Sequence, residues 1–461
     1  MFKKIHGLVK IALFAGLVGL AACTSRSSPV AMEVSDTRCG PKAAACNLVA
    51  GYSGNSLAGG IDGAAIAGGG QSGAPNRVSG NFGTVGGGEG NTAGEGSTVA
   101  GGSANTALHF HATVGGGSNN LASAEEATVA GGLNNTANDR FATVGGGATN
   151  LASSFFSTVS GGSGNTASFN FASVGGGTYN QSTNEAAVVP GGNHNLAQGP
   201  YSAILGGINN TANGLGAAVG GGAGNIAGGI NSMIPGGFAN QAAGDFSFAA
   251  GRDARVNAAH PGSFLFADSN DFPFPSTAPN EFAVRASGGV RLVTAIDSTG
   301  NPLAGVRLSP GSGAWDSLSD SQSKAGIRPV DGNQVLERLM SLQVSTWNYR
   351  GQAASIRHIG PMAQDFYSAF QVGDDNHYIS TVDEEGVALA AIQQVYRLVQ
   401  QERSVGSTGS PAGNASLQAQ VASLQRQLTF SNGLAVAALL IASLSFWRRK
   451  KGPVRPPRRI S

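Results

Sequence analysis

Charged residues are scarce in this sequence, and the two signs nearly cancel. Asp, Glu, Lys and Arg make up 12% of the 461 residues, and the formal net charge is +2. Because binding to nucleic acid requires a concentrated positive surface, this charge predicts no nucleic-acid partner. A glycine-rich chain of low charge would suit disorder, but a strict internal repeat among the 72 glycines argues for ordered structure.

Cysteine is equally scarce, and the first of the three ends an export signal. Residues 1–23 combine two early lysines, an apolar run over 11–20 and the sequence LAAC at 20–23. LAAC resembles the lipobox of bacterial lipoproteins, which implies cleavage before Cys23, lipidation of its thiol and a membrane-tethered N-terminus. The alternative is an ordinary signal peptide in which Cys23 is incidental.

The other two cysteines bracket a short loop in the linker that we assign to residues 24–47. In the oxidising compartment that an export signal implies, Cys39 and Cys46 are candidates for a disulfide. No cluster of His or Cys accompanies them, so the sequence predicts neither a metal site nor a cofactor.

What the sequence does contain is a 15-residue repeat that organises the stretch from Val99 to Asn240. A Gly-Gly pair comes two residues after each aliphatic position, Asn comes after six, and Ala comes after eight, with Ser182 as the exception. The aliphatic positions are Val99, Val114, Val129, Val144, Val159, Val174, Val189, Ile204, Val219 and Ile234.

A repeat this short cannot bury a core alone, so neighbouring repeats must stack. Fifteen residues suit one coil of a parallel β-solenoid, with Val or Ile in a narrow core and Ala as a second inward position. The Gly pairs suit one corner, where φ is positive. Asn suits a second corner, where it tolerates the left-handed region and can form a ladder. An aromatic column at Phe141, Phe156, Phe171 and Tyr201 is either an inter-chain contact or the outer rim.

The repeats also resemble a known family. TVGGG at 143–147 and NTAS at 165–168 are similar to the head repeats of trimeric autotransporter adhesins, and the resemblance covers residues 48–251. It implies a left-handed parallel β-roll with three chains side by side, and hence a homotrimer. Residues 252–314, which are rich in phenylalanine, are predicted to form a neck and cap that closes the open end of the solenoid.

A different domain is predicted over residues 315–403, where glycine becomes rarer and helical periodicity appears. Three segments, LSDSQSK at 318–324, HIGPMAQD at 358–365 and GVALAAIQ at 386–393, resemble the peptidase S74 family of intramolecular chaperones from phage tail spikes. The resemblance implies a small α+β domain that trimerises, helps the upstream β-structure to fold and then cuts itself off.

In that family the cut falls before the Ser of a Ser-Asp pair, with a Lys five residues further on. Ser319 and Lys324 have this spacing, so the implied scissile bond joins Leu318 to Ser319. A serine hydroxyl needs a base to remove its proton, and a desolvated lysine amine can be that base. Two further residues are weaker candidates. Asp320 either polarises a donor or caps the following turn, and His358 either assists the site or packs structurally.

The C-terminal end predicts attachment to a membrane. A Gly/Ser/Pro linker at 404–415 precedes a heptad pattern at 416–430, which predicts a short coiled coil. The apolar segment at 431–451 is long enough for a transmembrane helix, and the basic tail at 452–461 would then lie in the cytoplasm. The alternative is a processed sorting tail.

These features together predict an exported bacterial membrane protein of mainly β structure, with its trimeric head in the periplasm or on the cell surface. The head would bind an unidentified surface ligand, as an adhesin does, or serve a structural role. The chaperone domain would act as a single-turnover serine autoprotease. The alternatives are an uncleaved trimeric binding protein of tail-fibre type and an ice-binding solenoid built on the threonines at 98, 113, 128, 143 and 158.

Overall fold

The computed structural model of the protein describes residues 45–406 and 418–423. The chain divides into two compact units, with the boundary between Gly289 and Val290. The export signal, Cys23, Cys39, the apolar segment at 431–451 and the basic tail lie outside the described residues, as does most of the expected coiled coil. Within the described ranges, no helix is both long and apolar enough to cross a membrane.

The first unit is a parallel β-solenoid with two long sheets, which confirms the fold that the 15-residue repeat predicts. Most coils contribute one two-residue strand to each sheet, because a coil this short leaves little room between its corners. Each strand pairs in register with the strand one coil later, as Thr143–Val144 does with Thr158–Val159. A third column is linked by single bridges, such as that between Leu133 and Ala148.

The strands of the two sheets alternate along the chain, except that Met233–Ile234 and Gly237–Phe238 both lie in the first sheet. The first sheet contains Leu48–Val49, Ala65–Ile66, Thr84–Val85, Thr98–Val99, Thr113–Val114, Thr128–Val129, Thr143–Val144, Thr158–Val159, Ser173–Val174, Val188–Val189, Ala203–Ile204, Ala218–Val219, Met233–Ile234, Gly237–Phe238, Phe248–Arg252, Phe264–Ala267 and Phe282–Arg285. The second sheet contains Ser56–Leu57, Arg77–Val78, Thr92–Ala93, Thr106–Ala107, Leu121–Ala122, Thr136–Ala137, Leu151–Ala152, Thr166–Ala167, Gln181–Ser182, Leu196–Ala197, Thr211–Ala212, Ile226–Ala227, Gln241–Ala242, Ala254–Val256 and Phe274–Pro275.

Four columns of side chains point into the solenoid. The aliphatic and Ala columns are fully buried, as Val144 and Ala152 show, and this confirms the two inward positions that the repeat predicts. The Asn column is buried as well, and so is a fourth column of Ala or Ser, represented by Ala142 and Ser157. Small residues fill this fourth column because the coil is too narrow for a second large side chain.

Both polar atoms of each buried Asn side chain form hydrogen bonds, within the same coil and to the next coil. Asn150 Oδ1 accepts the backbone N–H of Asn165 at 3.0 Å, and Asn150 Nδ2 donates to the carbonyls of Gly146 at 2.8 Å and Gly162 at 2.9 Å. The predicted Asn ladder is therefore present. The expectation that these Asn residues adopt the left-handed conformation was wrong, because the residue before them does so, as Thr149 does at φ 55°.

The second Gly of each pair is required by the close passage of the next coil. Gly147 has a φ of 89°, and a Cβ at this position would collide with the carbonyl oxygen of Gly162. Only glycine satisfies both the positive φ and the close approach, which confirms the reason given for the Gly pairs.

The solenoid continues past residue 251, where the sequence predicts the head to end. Phe264–Ala267 pairs in parallel with Phe248–Arg252, and Phe282–Arg285 adds the next strand. Leu265 and Ala267 remain fully buried, so the inward pattern persists although the Gly-Gly register is lost. The segment predicted as a neck and cap is therefore divided: residues up to 285 extend the solenoid, and residues 290–314 belong to the second unit.

The second unit combines a three-stranded antiparallel sheet with a small helical core. The sheet consists of Val290–Ile296, Pro302–Leu308 and Trp315–Ser317, and a separate pair of strands is Ser345–Trp347 with His358–Gly360. The helices are α1 (Gly332–Ser341), α2 (Ala363–Phe370) and α3 (Thr381–Gly406), preceded by a 3₁₀ turn at Ser321–Ser323.

The core of this unit lies where the three helices meet. Its buried members are Val335, Phe366, Phe370 and Ala391. Helix α1 lies in the stretch where the sequence shows helical periodicity, and Asp331 caps that helix by accepting two backbone N–H groups. Leu336 and Leu339 pack against the core, whereas Met340 is 79% exposed.

Candidate active site

The candidate site begins at the edge of the three-stranded sheet. Trp315–Ser317 pairs with Pro302–Leu308, and Leu318 extends this pairing, because its N–H donates to the carbonyl of Gly305 at 3.0 Å. The peptide bond between Leu318 and Ser319 therefore follows directly after a hydrogen-bonded edge strand, which fixes the acyl side of that bond.

A single 3₁₀ turn folds Lys324 back onto Ser319. Asp320 begins the turn, and its carboxylate accepts the N–H of Gln322 at 2.9 Å, as a capping residue does. The turn ends with the Lys324 N–H donating to the carbonyl of Ser321 at 3.3 Å. Lys324 Nζ then donates to Ser319 Oγ at 2.6 Å. The structure thus brings the two candidate catalytic groups, Ser319 and Lys324, into contact. The carboxylate of Asp320 caps the turn.

A cavity of about 390 Å³ adjoins Lys324. Leu292 and Leu318 line it from the sheet, and Val382 lines it from α3. Ser319 and Lys324 themselves are exposed in the single chain. The sequence did not predict Leu292 and Val382 at this site, because they lie far from the dyad along the chain and belong to no local motif.

The nearby carboxylate of Asp316 accepts hydrogen bonds from residues outside the dyad. It accepts from Arg307 Nε at 3.1 Å and from the hydroxyl of Ser309 at 2.9 Å. The hydroxyl of Ser309, and then the guanidinium of Arg307, hold the pKa of Asp316 below its usual value. Asp316 is therefore a weaker base than an ordinary carboxylate, and Lys324 remains the group in contact with Ser319.

His358 lies on a strand of its own and has other partners. Its Nε2 is 2.9 Å from Gln352 Oε1, and its ring packs against Trp347 and Tyr349 with centroid distances of 4.7 and 5.5 Å. Among the described residues, it makes no hydrogen bond to the Ser319–Lys324 pair. These contacts are those of a packed structural histidine.

The remaining candidate residues lie in or before the solenoid. Cys46 is disulfide-bonded, and its pairing with Cys39 stays a prediction because Cys39 lies outside the described residues. No group of three His, Cys, Asp or Glu residues that could hold a metal occurs in the part of the chain that the structure describes.

The aromatic column lies on the outer surface of the coils. Phe141 and Phe156 stack with their ring centroids 4.5 Å apart, and Phe156 and Phe171 stack at 5.6 Å. Phe171 is 53% exposed and Tyr201 is 57% exposed. The charge of Glu185 raises the pKa of Tyr201, so this phenol is neutral at physiological pH.

Comparison with known proteins identifies the segment that carries the dyad. Residues 319–372 match the family model described as the chaperone of endosialidase, Peptidase S74. The match begins at Ser319 and includes Lys324 and His358, whereas the segment at 386–393 lies beyond it. No curated protein matches the chain. The chain thus joins a parallel β-solenoid to a chaperone-of-endosialidase domain.

Proposed function

We propose that the second unit promotes assembly of a trimer and then cuts its own chain between Leu318 and Ser319. The observation that carries this proposal is the 2.6 Å contact between Lys324 Nζ and Ser319 Oγ. The family match at 319–372 supports it, because the matched segment starts at the proposed nucleophile.

The chemistry follows from the positions of these groups. Neutral Lys324 accepts the proton of the Ser319 hydroxyl, and Oγ attacks the carbonyl carbon of Leu318. Lys324 returns this proton to the departing Ser319 nitrogen as the C–N bond breaks, and an ester joins Leu318 to Oγ. Water then hydrolyses the ester, which frees the Leu318 carboxylate and restores the hydroxyl of an N-terminal Ser319. Because nucleophile and carbonyl belong to adjacent residues, proximity supplies several kcal/mol of the barrier reduction.

The exposure of the dyad links this chemistry to assembly. A lysine acts as a base when water is removed from its surroundings, because desolvation disfavours the charged amine. Lys324 is exposed in the single chain, with apolar walls only on the side of the cavity. We therefore propose that neighbouring chains cover the dyad, so that cutting follows assembly.

Helix α3 supplies the surface for that assembly. Its inner side packs on α1, where Gln394 Nε2 donates to Asn333 Oδ1 at 2.6 Å. On its outer side, Leu389, Ile392 and Tyr396 are each more than 60% exposed. Their spacing of three and four residues is that of a coiled-coil seam, and we call these three residues the exposed α3 seam. Such a seam fits the same helix in other copies of the chain.

The solenoid would be the product of this processing. We propose that it is the trimeric head of an exported surface protein, with left-handed coils, a lipid at Cys23 and a membrane helix at 431–451. Adhesion is the proposed role because the coils offer an extended, regular outer surface with exposed aromatic residues. The proposal thus includes an unidentified surface ligand for the head and a membrane for each of the two anchors.

Intact mass of the protein lacking residues 1–23 and 431–461 tests the cleavage. We expect the wild-type chain to give a fragment ending at Leu318, and Ser319→Ala and Lys324→Ala to remain whole. Lys324→Arg should also remain whole, because it keeps the positive charge but cannot accept the proton. Ser321→Ala, in the same turn, is the matched control and should be cut.

Two outcomes would decide against this reading. If Lys324→Arg is cut as fast as the wild type, the lysine acts through its charge and not as a base. If the wild type stays whole but trimeric, the second unit holds the trimer together without being removed. The alternative of an uncleaved trimeric binding protein then replaces the proposal.

A further inference from the structure

The three-stranded sheet at the start of the second unit has two unlike faces. Successive residues of a strand point to opposite faces, and the pairing places Arg307 beside Asp316 on one face, where their side chains lie 3.1 Å apart. The opposite face is apolar, and we call it the apolar sheet face. Its apolar members are Val290, Leu292, Val306, Leu308 and Trp315, and Ser317 lies on the same face beside Val306.

This face is partly open in the single chain, where Val290, Val306 and Leu308 are half-buried. Leu292 is 55% exposed and Trp315 is 53% exposed in the structure of the described residues. A three-stranded sheet becomes stable when its hydrophobic face is covered, and a contiguous exposed apolar surface marks an interaction site. The exposed part of the apolar sheet face is therefore available to a partner.

The position of the cut determines which product keeps this face. This step rests on the proposed cleavage between Leu318 and Ser319. All three strands precede that bond, so they remain on the head fragment, whereas α3 leaves with the other fragment. The head loses the α3 contact when it is cut, and it retains the apolar sheet face.

The partner follows from the surface that adjoins this face. The cavity beside Lys324 is lined by Leu292 and Val306 from the sheet and by Val382 from α3. Val382 also lies seven residues before Leu389, in the same heptad position of the exposed α3 seam. A heptad seam fits the same helix in another copy of the chain, and copies held there lie next to the sheet.

We propose that the apolar sheet face is a second trimer contact, which binds the same face in two other copies of this chain. It holds the head together after the helical part has been released. The sheet thus belongs functionally to the head, although it folds beside the chaperone domain.

Cross-linking in the uncut chain tests the contact independently of cleavage. Leu292→Cys and Val293→Cys, each in a Ser319→Ala background, place a thiol on the apolar sheet face or on the opposite face of the same strand. With a short bismaleimide, we expect at least tenfold more covalent dimer from Leu292→Cys than from Val293→Cys, and background levels from the Ser319→Ala parent. Equal yields from the two thiols would overturn the proposal.

Light scattering on the Ser319→Ala parent separates the two possible failures. A monomeric parent means that the proposed assembly function is wrong, and the second contact falls with it. A trimeric parent without preferential cross-linking at residue 292 means that assembly stands and the apolar sheet face is not the contact.

The processed head gives the second measurement. After the wild-type chain is cut and its C-terminal fragment is removed, we expect the head to remain trimeric at micromolar concentration. Trp315 lies on the apolar sheet face but does not line the cavity beside Lys324, so Trp315→Asp should raise the monomer fraction of the cut head at least tenfold, and Val293→Asp should leave it unchanged. A Trp315→Asp head as trimeric as the Val293→Asp head would contradict the proposal.

Discussion

The two units of this chain bury their apolar side chains in opposite ways. In the solenoid, one continuous core runs from Val49 to Ala267, and each coil is covered by the coils beside it. In the second unit, the buried core has few members, and large apolar side chains such as Ile392 and Tyr396 remain exposed. The solenoid completes its core within one chain, whereas the second unit leaves large apolar side chains exposed.

This difference bears on the trimer assembly that we propose. Coils that repeat every 15 residues present nearly the same surface at each level, so three solenoids could align in several registers that differ by one coil. The second unit does not repeat, so the exposed side chains on α3 would not offer such equivalent registers. We infer that the smaller unit sets the register of the head, which gives a physical reason for a chaperone domain beside a repetitive fold.

The largest effect should come from breaking the seam of the second unit. In the single chain, Ile392 and its neighbour Gln393 are both exposed, so Asp at either position disturbs no contact within the monomer. We expect Ile392→Asp to give monomers and to slow self-cleavage more than tenfold, because a charge would be buried in the seam. Gln393→Asp should assemble and cut normally.

Light scattering and the time course of intact mass measure these two effects together. If the two variants behave alike, the exposed seam of α3 plays no part in assembly. If Ile392→Asp is monomeric but cut at the wild-type rate, then cutting does not depend on neighbouring chains, and the proposed coverage of Lys324 is wrong.

A smaller effect should come from breaking one coil of the solenoid. Asn150→Ala removes three hydrogen bonds and takes from the Asn165 N–H and the Gly146 carbonyl their side-chain partner, whereas the Gly162 carbonyl keeps the N–H of Ala148. The loss should lower the free energy of unfolding by about 3 kcal/mol. Asn138→Ala makes the same substitution at an exposed position of the preceding coil and should change it by less than about 0.5 kcal/mol. Urea denaturation of the uncut Ser319→Ala chain compares them, and equal effects would show that the Asn ladder does not stabilise the coil.

The sequence predicts the solenoid well because its constraints are local and repeated. Val144, Ala152 and Asn150 recur in every coil, so a period of 15 residues already identifies the inward columns. The left-handed position at Thr149 was assigned to the wrong residue, because the sequence does not show which of two adjacent residues turns the backbone. The end of the solenoid was also misplaced, since Leu265 stays buried without the Gly-Gly pair that marks earlier coils.

The candidate site was partly predictable for the same reason. Ser319 and Lys324 are five residues apart, so a local motif could identify them, and a 3₁₀ turn brings them together. The cavity wall at Leu292 and Val382 depends on contacts between distant segments. Only the fold reveals such contacts, and the same is true of the apolar sheet face.

The smallest effect on stability should come from the end of the solenoid, where the hydrogen bonds are no longer those of the repeated Asn column. Asp268 accepts from Ser287 Oγ at 2.6 Å, from the Ser287 N–H at 2.8 Å and from Arg285 Nε at 2.9 Å. The bonds from Ser287, with Arg285 adding less, hold the pKa of Asp268 well below its usual range. Because the folded-state pKa is lowered, the stabilisation is present above the unfolded pKa of about 4 and is lost as the pH falls through the folded value.

Asp268→Asn should therefore lower the Tm by a few degrees at pH 7, and the difference from the wild type should shrink steadily below about pH 4. Thermal denaturation of the uncut Ser319→Ala chain between pH 7 and pH 2 measures this trend, with Glu95→Gln on an inner coil as the control. Glu95 is exposed, and its substitution should change the Tm little at any pH. A difference for Asp268→Asn that stays constant with pH would show that the charge of Asp268 contributes nothing, and that the last coil, like the inner ones, is held by neutral contacts alone.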